Sequence, residues 1–199
     1  MTQTSTMILN KLINQIESLE YKIAENVIII SDLTLFIFIH KLSYEDISLF
    51  LKKIIEIFTK KRKSIIFPSF INPSFNKGVI NLDILKSDSG VLSEIFRKFP
   101  GVKRTKNPYF SYCILGKNQK QFISIDPEYD WSKKSHLGWM EKNNISCFII
   151  GTFPENNPLV HRAEFINKDI IKYKQIKKFR NKIIYEGKKL NHEQYYLNY

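Results

Sequence analysis

The hydrophobic positions change period several times along the chain, and each change predicts a new element. Apolar residues at Met7, Ile8, Leu12, Ile16 and Leu19 recur every three to four positions, which predicts an amphipathic helix over residues 7–21. Residues 27–30 form a short β-branched run ending at Ser31-Asp32, the pattern of a strand buried on both faces. Ser43 followed by Asp46 makes a capping box, and Ile47, Phe50, Leu51, Ile54, Ile55 and Phe58 then share one helical face. Basic residues at 60–63 close that helix, where cations suit the dipole, and residues 64–67 form a second apolar strand stopped by Pro68. Helix, strand, helix, strand, with strands too apolar to have a wet face, predicts a three-layer α/β/α fold. Its central sheet is mixed and mainly parallel, with helices on both faces.

Further along, residues 73–90 are polar and turn-rich and read as a surface excursion. Short helices are predicted over 91–99 and 135–142. Strands are predicted over 109–115, 122–125 and 146–150, the last ended by Gly151. A strand and turn at 185–188 and a strand over 194–199 complete the chain, with no linker or repeat to divide residues 1–199 into more than one domain. Ligands of such sheets bind beyond the carboxyl ends of strands, which directs attention to Ser31-Asp32-Leu33 and Pro68-Ser69-Phe70.

Composition removes several function classes. With 43% hydrophobic and 14% aromatic residues the chain is too apolar to be disordered. Cys113 and Cys147 stand alone in apolar runs, which excludes a disulfide framework and a zinc site on paired CxxC spacings and suits a reducing cytoplasm. No signal-peptide pattern and no apolar run near the ~18 residues of a membrane span are present, so the expectation is a cytoplasmic protein. The net charge of +12 permits an anionic partner, nucleic acid or a membrane surface among them, but abundant Ile, Lys and Asn together reduce its weight. Residues 168–189 mix Lys with Ile, Tyr and Phe; they read as a solvated face over the core, with an RNA or anionic-lipid surface as the sharper alternative. Phosphate-loop, dinucleotide-fold, zinc-protease and hydrolase-elbow motifs are all absent.

The informative stretch is Ser89-Gly90-Val91-Leu92-Ser93-Glu94-Ile95-Phe96-Arg97, continuing through Pro100-Gly101-Val102-Lys103-Arg104-Thr105-Lys106-Asn107-Pro108 to Ser111. Ser135-His136-Leu137-Gly138 and Asn157-Pro158-Leu159-Val160-His161-Arg162-Ala163-Glu164 follow in order. Together they resemble the aminoglycoside 3-N-acetyltransferase family. The resemblance extends upstream to Ile29-Ile30-Ser31-Asp32-Leu33 and Phe67-Pro68-Ser69-Phe70 and covers most of residues 5–190. It departs from the family pattern at Ile30 and Asn107, where the family has His, at Asp32, where it has Ser, and at Pro158, where it has Thr. The chain stops at Tyr199, where relatives usually continue, which implies a reduced acceptor site or one completed by a second copy.

The resemblance implies transfer of an acetyl group from acetyl-CoA to an amino group on a sugar; no metal is expected, and direct transfer without a covalent enzyme intermediate is expected because Cys113 and Cys147 lie in apolar strands where a thiol is inert. An ammonium cannot attack a thioester, and a neutral imidazole is suited to remove the proton, so His161 is the implied base. Glu164, three residues on, shares a helical face with it and orients the ring or binds a cationic acceptor. Arg104 and Thr105 are implied contacts for the phosphates or pantetheine amides of the cofactor. Ser31, Asp32, Leu33, Pro68, Ser69 and Ser111 are implied to border it, the alternative for Asp32 being a turn cap and for Ser111 a satisfied strand edge. Glu94 and Arg97 read as a helix-surface pair. The basic balance favours a glycan-precursor sugar nucleotide over a polycationic aminoglycoside as acceptor. A catalytically inactive relative serving as a binding or assembly module is the second reading, and a nucleic-acid-binding domain resting on charge alone the third.

Overall fold

A computed structural model describes residues 3–20, 22–61, 63–72, 78–126, 129–167 and 175–198. Its main sheet has five strands in the order β4-β5-β2-β1-β6: β1 Asn26–Ser31, β2 Ser64–Pro68, β4 Lys103–Arg104, β5 Tyr112–Leu115 and β6 Ser146–Ile150. Strand β1 pairs in parallel with β2 and with β6, while β5 runs antiparallel to both β2 and β4. The sheet is therefore mixed, with its parallel strands at the centre and at one edge.

Alternation along the buried strands divides the core in two. Val27, Ile29, Ile65, Phe67 and Cys113 point to one face and pack under α1 (Gln3–Glu20), α3 (Tyr44–Lys60) and α4 (Val91–Arg97). Ile28, Ile30, Ile66, Tyr112 and Ile114 point to the other and pack with Phe122, Trp131, Leu137, Trp139 and Met140 from α5 (Gln119–Ile123), α6 (His136–Lys142) and the segment before α6. Helices thus cover both faces. The capping box of α3 is formed as read: Asp46 N donates to Ser43 Oγ over 3.1 Å, and Ser43 N donates to Asp46 Oδ2 over 2.9 Å.

Several elements depart from the expectation. Residues 119–123 are helical, so the strand expected at 122–125 is corrected: Phe122 alone is buried there, and it reaches the core from one turn of helix, its ring tilted against that of His136 at 4.7 Å between centroids. The strand expected from 109 begins at Tyr112, because Asn107 Oδ1 accepts from the backbone N–H of Tyr109 and Phe110 and folds 109–111 into a turn. Leu35 to Ile39 form α2 (Thr34–His40), an element the hydrophobic pattern did not assign. The excursion at 73–90 carries β3 (Ile80–Asn81), whose Ile80 and following Leu82 are buried, while 73–77 lie outside the described residues. Strand β3 joins β7 (Gln175–Tyr185) and β8 (Lys188–Asn198) in a second sheet, order β3-β7-β8. The described part of the basic segment 168–189 is thus a β-ribbon, and the strand expected at 194–199 is the far end of β8. Tyr185 Oη donates to the Arg104 carbonyl over 2.7 Å, and Tyr195 stacks on Tyr129 at 4.6 Å, which tie the two sheets together.

Candidate active site

The parallel strands β1, β2 and β6 end side by side, and a cleft of about 670 Å³ opens beyond their carboxyl ends. Ile30, Ser31, Asp32 and Thr34 come from the end of β1, Pro68, Phe70, Ile71 and Asn72 from the loop after β2, and Thr152 and Asn156 from the loop after β6. Asp88, Ser89 and Gly90 close the remaining side. Two glycines allow this convergence. A Cβ on Gly90 (φ 97°) would stand 2.9 Å from the Ser31 carbonyl oxygen, and one on Gly151 (φ 68°) would stand 2.3 Å from that of Asp32. The walls are also zipped together: Phe70 N donates to Ser89 Oγ over 2.9 Å, and Asn72 N donates to Asp88 Oδ2 over 2.7 Å.

Ser31, Asp32 and Pro68 line this cleft. Ser31 is buried, and its hydroxyl has no hydrogen-bond partner among the described residues. A buried hydroxyl without a partner at the wall of a cleft is a group that a ligand can satisfy. Asp32 Oδ1 accepts from the N–H of Thr34 over 2.9 Å, a bond that holds its carboxyl below the usual range, so it is ionised and caps the turn. Asp32 and Asp88 are the only charged groups among the described lining residues. Leu33 packs into the core beneath α2 instead of facing the cleft.

Arg104, Thr105, Ser69 and Ser111 form a buried lattice behind the wall. Arg104 donates from Nε to Ser111 Oγ at 3.1 Å, from Nη1 to the carbonyls of Leu82 and Leu85 at 3.2 and 2.7 Å, and from Nη2 to that of Ser69 at 2.7 Å. Burial lowers its pKa to about 10, which leaves it charged at neutral pH. Four of its N–H groups are committed to protein oxygens, so the guanidinium fixes the loop between Pro68 and Phe70 and does not reach into the cleft. Thr105 Oγ1 accepts from Tyr112 N over 2.9 Å, and the Ser111 hydroxyl donates to the Ser69 carbonyl. Glu94 and Arg97 are more buried than the surface pair expected. Burial pushes the Glu94 carboxyl up, but bonds from Arg97, Ser87 and Lys98 outweigh it and hold the group at about 2.

His161 and Glu164 stand one turn apart on α7 (Pro158–Ile166), which starts at an Asn157 cap and Pro158 in the first turn. Their side chains meet, Nδ1 to Oε2, at 3.0 Å, with 30% and 20% of each exposed. A carboxylate against Nδ1 favours the neutral tautomer that carries its proton on that nitrogen. The imidazole is not one of the described lining residues of the cleft: its ring centroid is 6.5 Å from Phe110, whose ring is 5.3 Å from Phe70 on the wall, and Asn157, after Asn156, caps α7. Asp130 is buried and accepts from Asn107 Nδ2. Burial raises its pKa well above the carboxylate range. Phe110, Asn72, Asp88, Thr152 and Asn156 were missed by sequence reading. Ser89-Gly90, which open the resembling segment, were the one signal pointing to this side of the cleft.

The main sheet thus carries a polar cleft at its parallel strand ends and a carboxylate-paired imidazole on the helix that follows β6. The family model for aminoglycoside 3-N-acetyltransferase matches residues 68–198, and the chain belongs to that family. The SPbeta prophage-derived aminoglycoside N(3')-acetyltransferase-like protein YokD of Bacillus subtilis (strain 168) is 28% identical over 102 residues, covering 51% of this chain and 36% of that protein. The crystal structure of YokD superposes with a TM-score of 0.72 at 20% identity, over 99% of this chain and 82% of that one. A structure of AAC-VIa with bound sisomicin matches at 0.72 and 14% identity (96% and 76% covered). AAC-IIIb in binary complex with CoASH matches at 0.72 and 15% (96% and 75%). These likenesses establish a shared fold.

Proposed function

We propose that the protein acetylates an amino group of a sugar that carries more than one ammonium, using acetyl-CoA, with His161 as general base. The observation that carries the proposal is the His161–Glu164 pair, joined to the cleft wall through the rings of Phe110 and Phe70. Acetyl-CoA supplies the activated acyl carbonyl when bound. The cleft fits the uncharged part of that molecule: Ser31 offers an unpartnered hydroxyl, and Asn72, Thr152 and Asn156 offer amide and hydroxyl groups along a wall otherwise built from Ile30, Pro68, Phe70 and Ile71. The phosphates fit less well, because no cation stands among the described lining residues and Arg104 is committed to the frame. They belong outside the cleft.

His161 takes the proton from the acceptor nitrogen at Nε2 as that nitrogen becomes nucleophilic, and the Glu164 carboxylate stabilises the imidazolium so formed. Such a base contributes on the order of 10²–10⁴ in rate. The Cys113 thiol, pushed up to about 11 by burial, stays protonated and inert, which supports direct transfer. The acceptor follows from the cleft charges. Asp32 and Asp88 attract a second ammonium and repel phosphate, so the local field favours a polycationic amino sugar although the whole chain is basic.

The test is release of coenzyme A thiol with an aminoglycoside bearing several ammonium groups and, in parallel, with a nucleotide-linked amino sugar. Turnover with the first and none with the second is expected. The reverse preference would overturn the assignment of the acceptor, and silence with every amine would overturn the activity.

A further inference from the structure

Asn107 is one of the positions where the chain departs from the family pattern, and it does not line the cleft. It is 2% exposed, and its amide is used at both ends. Oδ1 accepts from Tyr109 N at 2.9 Å and from Phe110 N at 3.0 Å, and Nδ2 donates to Asp130 Oδ1. Arg162, 4% exposed and adjacent to His161 on α7, donates from Nη1 to the Trp131 carbonyl and from Nε to Glu141 Oε2 over 2.6 Å. Asp130 and Trp131 are neighbours in the segment before α6. The turn that carries Phe110 and the helix that carries His161 are therefore anchored to one short stretch of chain. The Phe165 ring, 5.1 Å from that of Trp131, reinforces the second anchor. Pro158 and Arg162 are the only buried residues of α7, so the guanidinium seats this helix together with the half-buried Leu159 and Phe165.

We propose that Asn107 and Arg162 are positioning residues for the His161 imidazole: through Asp130 and Trp131 they hold the Phe110 ring and α7 in register, and so hold the imidazole against the cleft wall. The proposal rests on the reading of His161 as the base. Glu164 cannot supply this register, because it lies on the same helix as His161 and moves with it. It sets the ring's rotamer, whereas the distance to the cleft is set by contacts with other elements. Those contacts run from His161 to Phe110 and from Phe110 to Phe70. An amide meets both demands at position 107: its oxygen serves two N–H groups and its nitrogen serves Asp130, while Leu would leave all three without this partner. Side chains locked by such buried bonds preorganise a site, and misplacing a reacting group by about 1 Å costs up to about 100-fold in rate. Neither Asn107 nor Arg162 lines the cleft, so their effect on chemistry is exerted through His161.

The experiment reads the nuclear Overhauser contact between the rings of His161 and Phe110, beside kcat and KM in thiol release from acetyl-CoA with a polycationic amino-sugar acceptor. It compares wild type, Asn107→Leu and Arg162→Lys with Ser43→Ala, which loosens the α3 cap far from this segment and controls for lost stability alone. Wild type and Ser43→Ala are expected to show the ring contact and equal turnover. Asn107→Leu and Arg162→Lys are expected to lose the contact, with kcat about tenfold lower and KM for acetyl-CoA within about twofold. Melting curves establish which variants fold, and a single folded one of the two decides the question. Persistence of the ring contact in a folded variant would overturn the proposal, and so would a lost contact with unchanged kcat. Failure of both to fold would make them residues of the fold alone and overturn it equally. A wild type that turns over no amine defeats the reading of His161 as base, while the ring contact still decides whether Asn107 and Arg162 place the imidazole.

Discussion

Arg104 and His161 both stand out in the sequence as polar residues in an ordered motif, and folding gives them different tasks. Arg104 is enclosed by the carbonyls of Ser69, Leu82 and Leu85, so its charge holds loops together. Replacing it by Met leaves those oxygens buried without donors, and a loss of about 3–5 kcal/mol is expected in urea unfolding. A near-normal stability with lost acetyl-CoA binding would return Arg104 to the cofactor. His161 keeps part of its ring exposed and meets Glu164. Glu164→Gln preserves the shape but removes the charge that stabilises the imidazolium, so turnover should fall about tenfold with KM little changed. Residue identity was thus legible in the sequence, whereas direction was not. Nothing in the string Val102 to Thr105 says that the guanidinium turns inward to unpaired loop carbonyls, since those carbonyls come from segments about 20 and 35 positions away.

At the scale of elements, legibility followed periodicity. Strand β1 and helix α3 were readable because one has a continuous apolar run and the other a capping box with a single apolar face. Helix α5 was not, because a single buried Phe122 among polar residues carries no period, and α2 was not, because a helix apolar on every side has none either. Strand β3 is two residues long, and only pairing with the distant β7 creates it. Helix α6 carries its own prediction. Its first residue, His136, is buried against Phe122 and Tyr112, and burial lowers its pKa to about 4 from an ordinary 6.5. A depressed folded-state pKa means that the stability it contributes is complete above pH 6.5 and is lost as pH falls towards 4. The loss reaches about 3 kcal/mol. Denaturant unfolding at pH 7 and pH 4 should therefore differ by about that amount more for wild type than for His136→Phe. Equal pH dependence in the two would show that the imidazole is not neutral in the fold. Loss of the α3 cap in Ser43→Ala should cost about 1 kcal/mol by the same measurement.

Over the whole molecule, the distribution of charge matters more than its sum. The chain carries an excess of 12 positive charges, yet the described lining of the cleft bears only Asp32 and Asp88. Composition could not reveal this, because the two acids are 56 positions apart and meet only when β1 ends beside the loop that follows β2. Asp88→Asn should raise KM for a polycationic acceptor about tenfold with little change in kcat, and added salt should weaken wild-type binding of the acceptor. A kcat effect without a KM effect would remove Asp88 from acceptor binding. The proposed chemistry stands on the His161 imidazole, which Phe110 links to the cleft wall. Its most direct test compares thiol release from acetyl-CoA, with a polycationic amino-sugar acceptor, by wild type and by His161→Ala, after calorimetry has shown equal acetyl-CoA binding. A fall of at least about 100-fold in turnover is predicted, and turnover unchanged in the variant would contradict the central claim.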